Sequence, residues 1–156
     1  MLPMADLRAL FESLGHTEVT TFIQSGNVVF TSRRAVTPAT LENAIGSRFG
    51  IGTAVVLRTP GELKSALRVN PFARRDPSRV HVGFMTQKPS ATAVASLDAE
   101  RFLPEEFVIS GRELYLHLPN GMGRAKLPAH LDRQLKVPTT IRTLSTVTKL
   151  LALAEV

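Results

Sequence analysis

The chain has 156 residues, of which 44% are hydrophobic and 21% charged, and its 19 Lys/Arg against 13 Asp/Glu give a net charge of +6. This size fits one ordinary domain or two small ones, and the composition excludes wholesale disorder. The absence of cysteine excludes disulfides, cysteine nucleophiles and thiolate metal sites, and it is compatible with the reducing cytoplasm where we expect the protein.

The positive charge is concentrated towards the C-terminal end. Residues 120–156 carry six Lys/Arg and two Asp/Glu, or +4, which leaves +2 for residues 1–119. Basic surfaces attract phosphates, nucleic acids and acidic lipids, whereas a bias of this size also arises from solubility alone. No apolar run approaches the roughly 20 residues of a membrane-spanning helix, so we expect no membrane partner.

A β-hairpin is predicted directly after an N-terminal amphipathic helix. Residues 19–24 and 27–31 are rich in β-branched and aromatic side chains, and Ser25-Gly26 between them is a usable tight turn. With that turn, Thr21 pairs with Phe30 on an apolar face.

The remaining elements follow from caps, turn residues and apolar periodicity. Thr37-Pro38 opens a helix that Gly50 closes, and Thr59-Pro60-Gly61-Glu62 is a capping box for the next helix. In chain order, the predicted helices cover residues 1–14, 38–49, 60–68, 90–97, 128–135 and 142–154, and the predicted strands after the hairpin cover 54–58, 80–85, 107–110 and 113–118.

A charged segment at residues 73–79 contains a proline and carries no element. It predicts a boundary between two small subdomains, residues 1–72 and 73–156. Each subdomain is expected to be a small α/β sandwich, which makes the fold class α+β.

Several stretches together resemble one protein family. Phe22-Ile23-Gln24-Ser25-Gly26-Asn27-Val28-Val29-Phe30 looks like the signature hairpin of the DUF1697 family, bacterial proteins of unassigned function. Residues 4–8, 70–72 and 115–124 and the closing Thr-Val-x-Lys-Leu also match, so the resemblance spans nearly the whole chain. It implies two α+β halves, the first of them ferredoxin-like, and it implies no activity.

Three departures from this family pattern stand out. Members usually begin with a strand of the type Arg-Gly-Ile-Asn-Val-Gly-Gly, and this chain starts after it, so the resemblance implies a ferredoxin-like half without its central first strand. The neighbours of that strand would then lack a hydrogen-bond partner. In addition, Ala125 stands where the family tends to have serine, and Thr143-Leu144 replaces a typical Asn-Trp pair.

The first candidate site is an anion-binding surface near the C-terminal end. A Gly-Met-Gly loop ends in two basic residues, and the predicted helix 142–154 presents two more cations and a hydroxyl in line. An arginine in the first turn of that helix meets the helix dipole at a cost of roughly 0.3–1 kcal/mol, which a bound anion would offset. The candidate residues are Arg124, Lys126, Arg142, Thr146 and Lys149.

These residues also have a purely structural interpretation. Arg142 would pair with a carboxylate of the protein, and Lys149 would be solvated. The loop lacks the length and the closing Lys-Ser/Thr of a Walker motif, so its glycines would serve only to turn the chain.

The second candidate site is the hairpin tip, formed by Gln24, Ser25 and Asn27. Amides at a hairpin tip can bind a small ligand or a protein partner. The alternative is turn chemistry, in which Gly26 supplies a positive φ and Asn27 hydrogen-bonds the backbone. Ser25 has no base within its motif, so no serine hydrolase is predicted.

The sequence identifies no catalytic residue, no metal site and no cofactor. None of the histidines shows a metal-binding spacing, and His117 is expected to be a half-exposed sheet residue. We expect a binding or interaction protein whose partner is a phosphate-containing small molecule or another protein. Two alternatives stay open: an enzyme acting on a phosphorylated small molecule, with His130 or an acid beside the cations, and weak nucleic-acid binding, which a 6% aromatic content disfavours.

Overall fold

The computed structural model describes residues 2–22 and 26–155, and it confirms the α+β fold class. In these ranges there are six α-helices, six strands that pair in antiparallel fashion, and three short 3-10 helices. The α-helices are α1 Met4–Ser13, α2 Pro38–Phe49, α3 Pro60–Arg68, α4 Ala91–Ala95, α5 Leu127–Leu135 and α6 Leu144–Ala154. The strands are β1 Thr17–Phe22, β2 Asn27–Thr31, β3 Val80–Met85, β4 Glu106–Ser110, β5 Glu113–His117 and β6 Thr139–Thr143. The 3-10 helices are Pro77–Arg79, Glu100–Phe102 and Met122–Arg124.

The chain divides into two compact units, the first formed by Met1–Pro60 with Lys149–Val156 and the second by Gly61–Thr148. This division differs from the boundary expected after residue 72, because α3 is bonded to the second unit. The Tyr115 hydroxyl donates to the Ala66 carbonyl of α3 at 2.7 Å. Arg112 also donates to Glu62 of α3 at 2.7 Å.

The first unit packs α1 and α2 against the β1–β2 hairpin. The predicted caps of α2 are confirmed: the Thr37 hydroxyl accepts the Thr40 N–H at 3.2 Å, Pro38 is the first helical residue, and Gly50 ends the helix with φ +67°. The buried side chains of this core are Leu7, Leu10, Phe11, Val19, Leu41 and Ile45.

The hairpin forms, but its predicted register is wrong by two residues. Thr21 pairs with Val28 rather than with Phe30. The reason is the length of the connection: β1 ends at Phe22 and β2 begins at Asn27, so four residues join the strands instead of two. The Asn27 side chain donates to the Phe22 carbonyl at 3.2 Å and closes the hairpin at this point.

The strand predicted at residues 54–58 is wrong, because this segment makes no β-ladder in the described structure. Val55 and Leu57 pack on the first core, as a strand pattern requires. Among the described residues, however, β2 pairs with β1 alone, so no adjacent strand offers backbone groups to this segment. The Val55 N–H donates instead to the Glu42 carboxylate at 2.8 Å.

The second unit is built on a four-stranded antiparallel sheet with the order β4-β5-β3-β6. All six residues of β3 are buried, as expected for a central strand covered on both faces. Leu114 and Leu116 of β5 join the core formed with α5, whereas Tyr115 is turned to the opposite face and reaches α3. The predicted alternation along β5 is therefore confirmed.

The helix predicted from residue 142 begins two residues later, at Leu144. Residues 139–143 form the edge strand β6 instead, in which Arg142 pairs with Val82. A run of β-branched residues favours this extended conformation. The hydroxyl of Thr143 then caps α6 by accepting the Thr146 N–H at 3.2 Å. No helix in the described ranges is both long and apolar enough to cross a bilayer.

Candidate functional site

The loop that precedes α5 has a defined conformation. The Gly121 N–H donates to the Leu118 carbonyl at 2.9 Å, and the Ala125 N–H donates to the Met122 carbonyl at 3.2 Å. Gly121 has φ +85°, a left-handed value that other residues rarely adopt. These bonds form a turn followed by a single 3-10 turn, so Arg124 is presented from an ordered backbone.

Arg79 is a member of this loop surface that the sequence analysis missed. Its carbonyl accepts the Leu118 N–H at 2.8 Å, which joins it to the start of the loop. A Cβ placed on Gly121 would lie 2.8 Å from Nη1 of Arg79. The guanidinium thus lies against the loop backbone in the space that the glycine leaves. The glycine is the sequence signal of this contact, and the sequence alone does not distinguish it from a glycine that only turns the chain.

A carboxylate of the protein occupies the N-terminus of α5. Glu105 Oε1 accepts the Leu127 N–H at 2.9 Å and the Lys126 N–H at 3.2 Å. The first N–H groups of a helix attract anions, and here a residue of the neighbouring loop satisfies them. An external anion at this loop therefore meets the basic side chains and not these two N–H groups.

The side chains of Arg124 and Lys126 are exposed. Across residues 2–22 and 26–155, neither side chain has an Asp or Glu oxygen within the 4.0 Å of an ion pair. The same is true of Arg79, although its charge contributes to lowering the pKa of the Asp76 carboxyl. The loop thus carries cationic groups that the described protein does not neutralise by direct pairing.

Arg142 lies on the edge strand β6 and not in a helix, so the argument from the helix dipole is wrong. Its side chain is half-buried, and Nη1 donates to the Ile141 carbonyl at 3.0 Å. Burial lowers the pKa of the guanidinium. Thr146 serves the cap of α6, because its N–H and its hydroxyl both bond Thr143. Lys149 is exposed and belongs to the first unit.

Of the hairpin-tip candidates, Gln24 and Ser25 lie outside the described residues. Asn27 is buried, with 8% of its surface exposed, and its side chain bonds the Phe22 carbonyl. This bond is the turn chemistry that we considered as the alternative for this residue.

A polar network in the second unit was also missed. Glu106 Oε1 lies 3.1 Å from Arg75 Nη2 and 3.6 Å from His117 Nδ1. The Phe72 ring lies 5.8 Å from the His117 ring. His117 is buried rather than half-exposed. Through these contacts, the segment after α3 is connected to β4 and β5. It joins two of the stretches that carry the family resemblance, residues 70–72 and 115–124.

Close to this network, the pKa of the Asp76 carboxyl is lowered. The cause is first the hydroxyl and N–H of Ser78, which both donate to it, and then the charges of Arg79 and His117.

The other histidines are structural. His130 is buried, and its Nε2 accepts the Asp98 N–H at 3.4 Å. Burial also lowers the pKa of His81 on β3. Within the described ranges, no group of three or more His, Asp or Glu side chains is arranged to hold a metal ion.

Comparison with known proteins adds a family and a fold. The model of the family described as "Protein of unknown function (DUF1697)" matches residues 1–115. No curated protein matches the chain. A solved structure, that of the conserved bacterial protein SP0830 from Streptococcus pneumoniae, superposes with a TM-score of 0.70 at 23% identity, over 99% of this chain and 89% of that one. At this identity the likeness shows the fold alone.

Proposed function

Because the chain belongs to the DUF1697 family, whose description assigns no activity, we propose from the geometry of its loop that it is a binding protein that accepts an anion on a basic loop surface. We define this basic loop surface as Arg79, Arg124 and Lys126. All three residues lie in the second unit.

The observation that carries the proposal is an excess of exposed cations on an ordered backbone. Arg124 and Lys126 project from a hydrogen-bonded turn, and Arg79 is held against the same turn by its contact with Gly121. Because the described carboxylates pair with none of the three, an anion that arrives here need not displace an internal ion pair. Arg142 and Thr146 are left out because they serve the sheet and the helix cap, and Lys149 because it belongs to the first unit.

The test is a titration of the protein with inorganic phosphate and with nucleoside triphosphates, followed by amide chemical shifts and by calorimetry. We expect shifts at Gly121, Gly123 and Lys126 that weaken as salt is raised, since screening acts on exposed charges. The double variant Arg124→Ala, Lys126→Ala should abolish them.

A matched control removes the same amount of positive charge from another part of the second unit. Arg133 and Lys136 are also exposed cations of the second unit, at the opposite end of α5. The double variant Arg133→Ala, Lys136→Ala has the same net charge as the test variant, and it should retain the response. If both double variants lose the response to phosphate equally, the response depends on net charge alone and the proposed surface is refuted.

The enzyme alternative is less well supported. It requires an acid or base free to act beside the cations, whereas the Glu105 carboxylate at the loop accepts two backbone N–H groups, and His130 is buried with its Nε2 bonded to the Asp98 N–H. A shallow depression of about 950 Å³ lies in the first unit beside α2, and no Lys or Arg lines it. Nucleic-acid binding also lacks a stacking surface at the loop, which has no exposed aromatic side chain between residues 118 and 126.

Two finer features are part of the same proposal. A ferredoxin-like fold of the first unit is supported by its helix–hairpin–helix order and by the segment at 54–58, whose Val55 and Leu57 pack on the same core. A cytoplasmic location is supported by the cysteine-free composition.

A further inference from the structure

Two large apolar side chains are exposed beside the basic loop surface. Leu103 has 62% of its surface exposed and Met122 has 42%. Their loops are joined, because Glu105, two residues after Leu103, accepts the N–H groups of Lys126 and Leu127. The second unit therefore presents apolar and cationic groups on two connected loops.

A further cation lies on the first of these loops. Arg101 is exposed, and its guanidinium lies 5.2 Å from the centre of the Phe102 ring. The Phe102 ring itself lies 4.7 Å from the buried His130 ring, so the guanidinium contacts an anchored aromatic side chain while remaining exposed. Leu103 lies two residues after Arg101, and Met122 lies two residues before Arg124, so each loop carries an exposed apolar side chain close in sequence to a cation.

We propose that the anion accepted by the basic loop surface is the carboxylate of a peptide segment, in which acidic residues face this surface and Arg101 beside it, and leucine-like side chains cover Leu103 and Met122. This inference rests on the proposed function and names its partner class. A lone phosphate uses the cations and leaves both apolar side chains in water. A peptide that carries both kinds of group uses the whole surface.

The charge pattern favours a peptide over an anionic membrane. Asp98 and Glu100 are exposed on the same loop as Arg101. A uniformly negative lipid surface would meet these carboxylates together with the cations and would be repelled by them. A peptide can place its own carboxylates opposite the cations alone.

The experiment uses two labelled synthetic peptides that differ in one feature. The first alternates Glu or Asp with Leu, and the second carries Ser in place of every Leu. Binding to the full chain is followed by fluorescence anisotropy, and inorganic phosphate is titrated in parallel. We expect the leucine peptide to bind more tightly, and the variants Leu103→Ser and Met122→Ser each to weaken it by roughly three- to tenfold, since each loses part of an apolar contact. Neither variant should change the response to phosphate.

The outcomes separate the inference from the proposed function. If the two peptides bind equally and only Arg124→Ala, Lys126→Ala matters, the anion surface stands and the peptide inference is overturned. If the Arg124→Ala, Lys126→Ala variant binds both phosphate and peptide as the wild type does, the proposed function itself is refuted, and the peptide inference with it. Tighter binding to phosphatidylserine vesicles than to the leucine peptide also overturns the inference. Val94→Ser, at an exposed apolar residue of α4, is the matched control and should leave peptide binding unchanged.

Discussion

Removing the carboxylate of Glu105 tests both the fold of the loop and the anion surface. The substitution Glu105→Ala deletes the acceptor of the Lys126 and Leu127 N–H groups, which lie 3.2 and 2.9 Å from Oε1. Losing a side-chain cap of a helix costs about 1–2 kcal/mol of the free energy of unfolding. For a chain of this size, that corresponds to a fall of roughly 2–8 °C in the melting temperature.

The same substitution changes the binding of anions in the opposite direction. Once Glu105 is gone, the first N–H groups of α5 face the loop without an internal acceptor, and the helix dipole favours an anion there. We therefore expect Glu105→Ala to lose stability and to gain affinity for inorganic phosphate, and phosphate to restore part of the lost stability by mass action. Urea unfolding with and without phosphate measures both effects.

The matched control is Glu100→Ala. Glu100 is an exposed carboxylate of the same loop, and its side chain caps no helix among the described residues. The control removes the same charge and should leave both stability and phosphate affinity nearly unchanged. A Glu105→Ala protein as stable as the wild type, or one whose phosphate affinity does not rise above that of Glu100→Ala, would refute the reasoning.

Three further substitutions test the packing of the second unit, each by urea unfolding. Lys136 ends α5 with φ +55°, so Lys136→Gly should stabilise the protein by about 0.5–1 kcal/mol. A Cβ on Gly83 would lie 3.2 Å from the Leu114 Cβ inside the sheet, so Gly83→Ala should cost about 1–3 kcal/mol. Tyr115→Phe leaves the buried Ala66 carbonyl without its donor at a cost of about 1–3 kcal/mol. Burial, and then the charge of Glu113, raises the pKa of Tyr115 from 10.0 to about 12, so the folded state keeps this proton more tightly. Its contribution to stability is complete below pH 10 and is lost as the pH rises through about 12, and the Phe variant should lack this loss.

Each of these predictions has its own control. Lys136→Ala removes the same charge but keeps a Cβ at a left-handed φ, and a gain equal to that of Lys136→Gly would assign the effect to charge. Gly52→Ala has nothing within 4 Å of the new Cβ and should be close to neutral. If it costs as much as Gly83→Ala, the close approach to Leu114 is not the cause. If Tyr115→Phe loses stability between pH 10 and about 12 as the wild type does, a group other than Tyr115 causes that loss.

The sequence predicted well where local chemistry decides the structure. Thr37-Pro38 and Gly50 bound α2 as expected, because caps act within one turn. The alternation along β5 is a local pattern and was also confirmed. Predictions failed where a distant partner decides: Arg142 became a strand residue because β3 offers an edge to pair with, and residues 54–58 form no strand because no strand lies beside them.

The candidate site followed the same rule. Gly121 has a positive φ, and Arg124 and Lys126 are exposed; these features depend on the loop itself, and the anion site that they would form stays a prediction. Arg79 and Glu105 were missed because each reaches the loop from a different part of the second unit. No spacing in one sequence shows such a contact, so a signal for it would require coordinates.

The difference between the two sheets has a consequence for hydrogen exchange. The middle strands β3 and β5 each pair with a strand on both sides, whereas β1 and β2 pair only with each other among the described residues. A two-stranded ribbon opens by losing one set of bonds, and a central strand must lose two together with its packing. Amide deuterium uptake should therefore be early in the hairpin and late in β3, so the two sheets of one chain would differ clearly in their exchange rates.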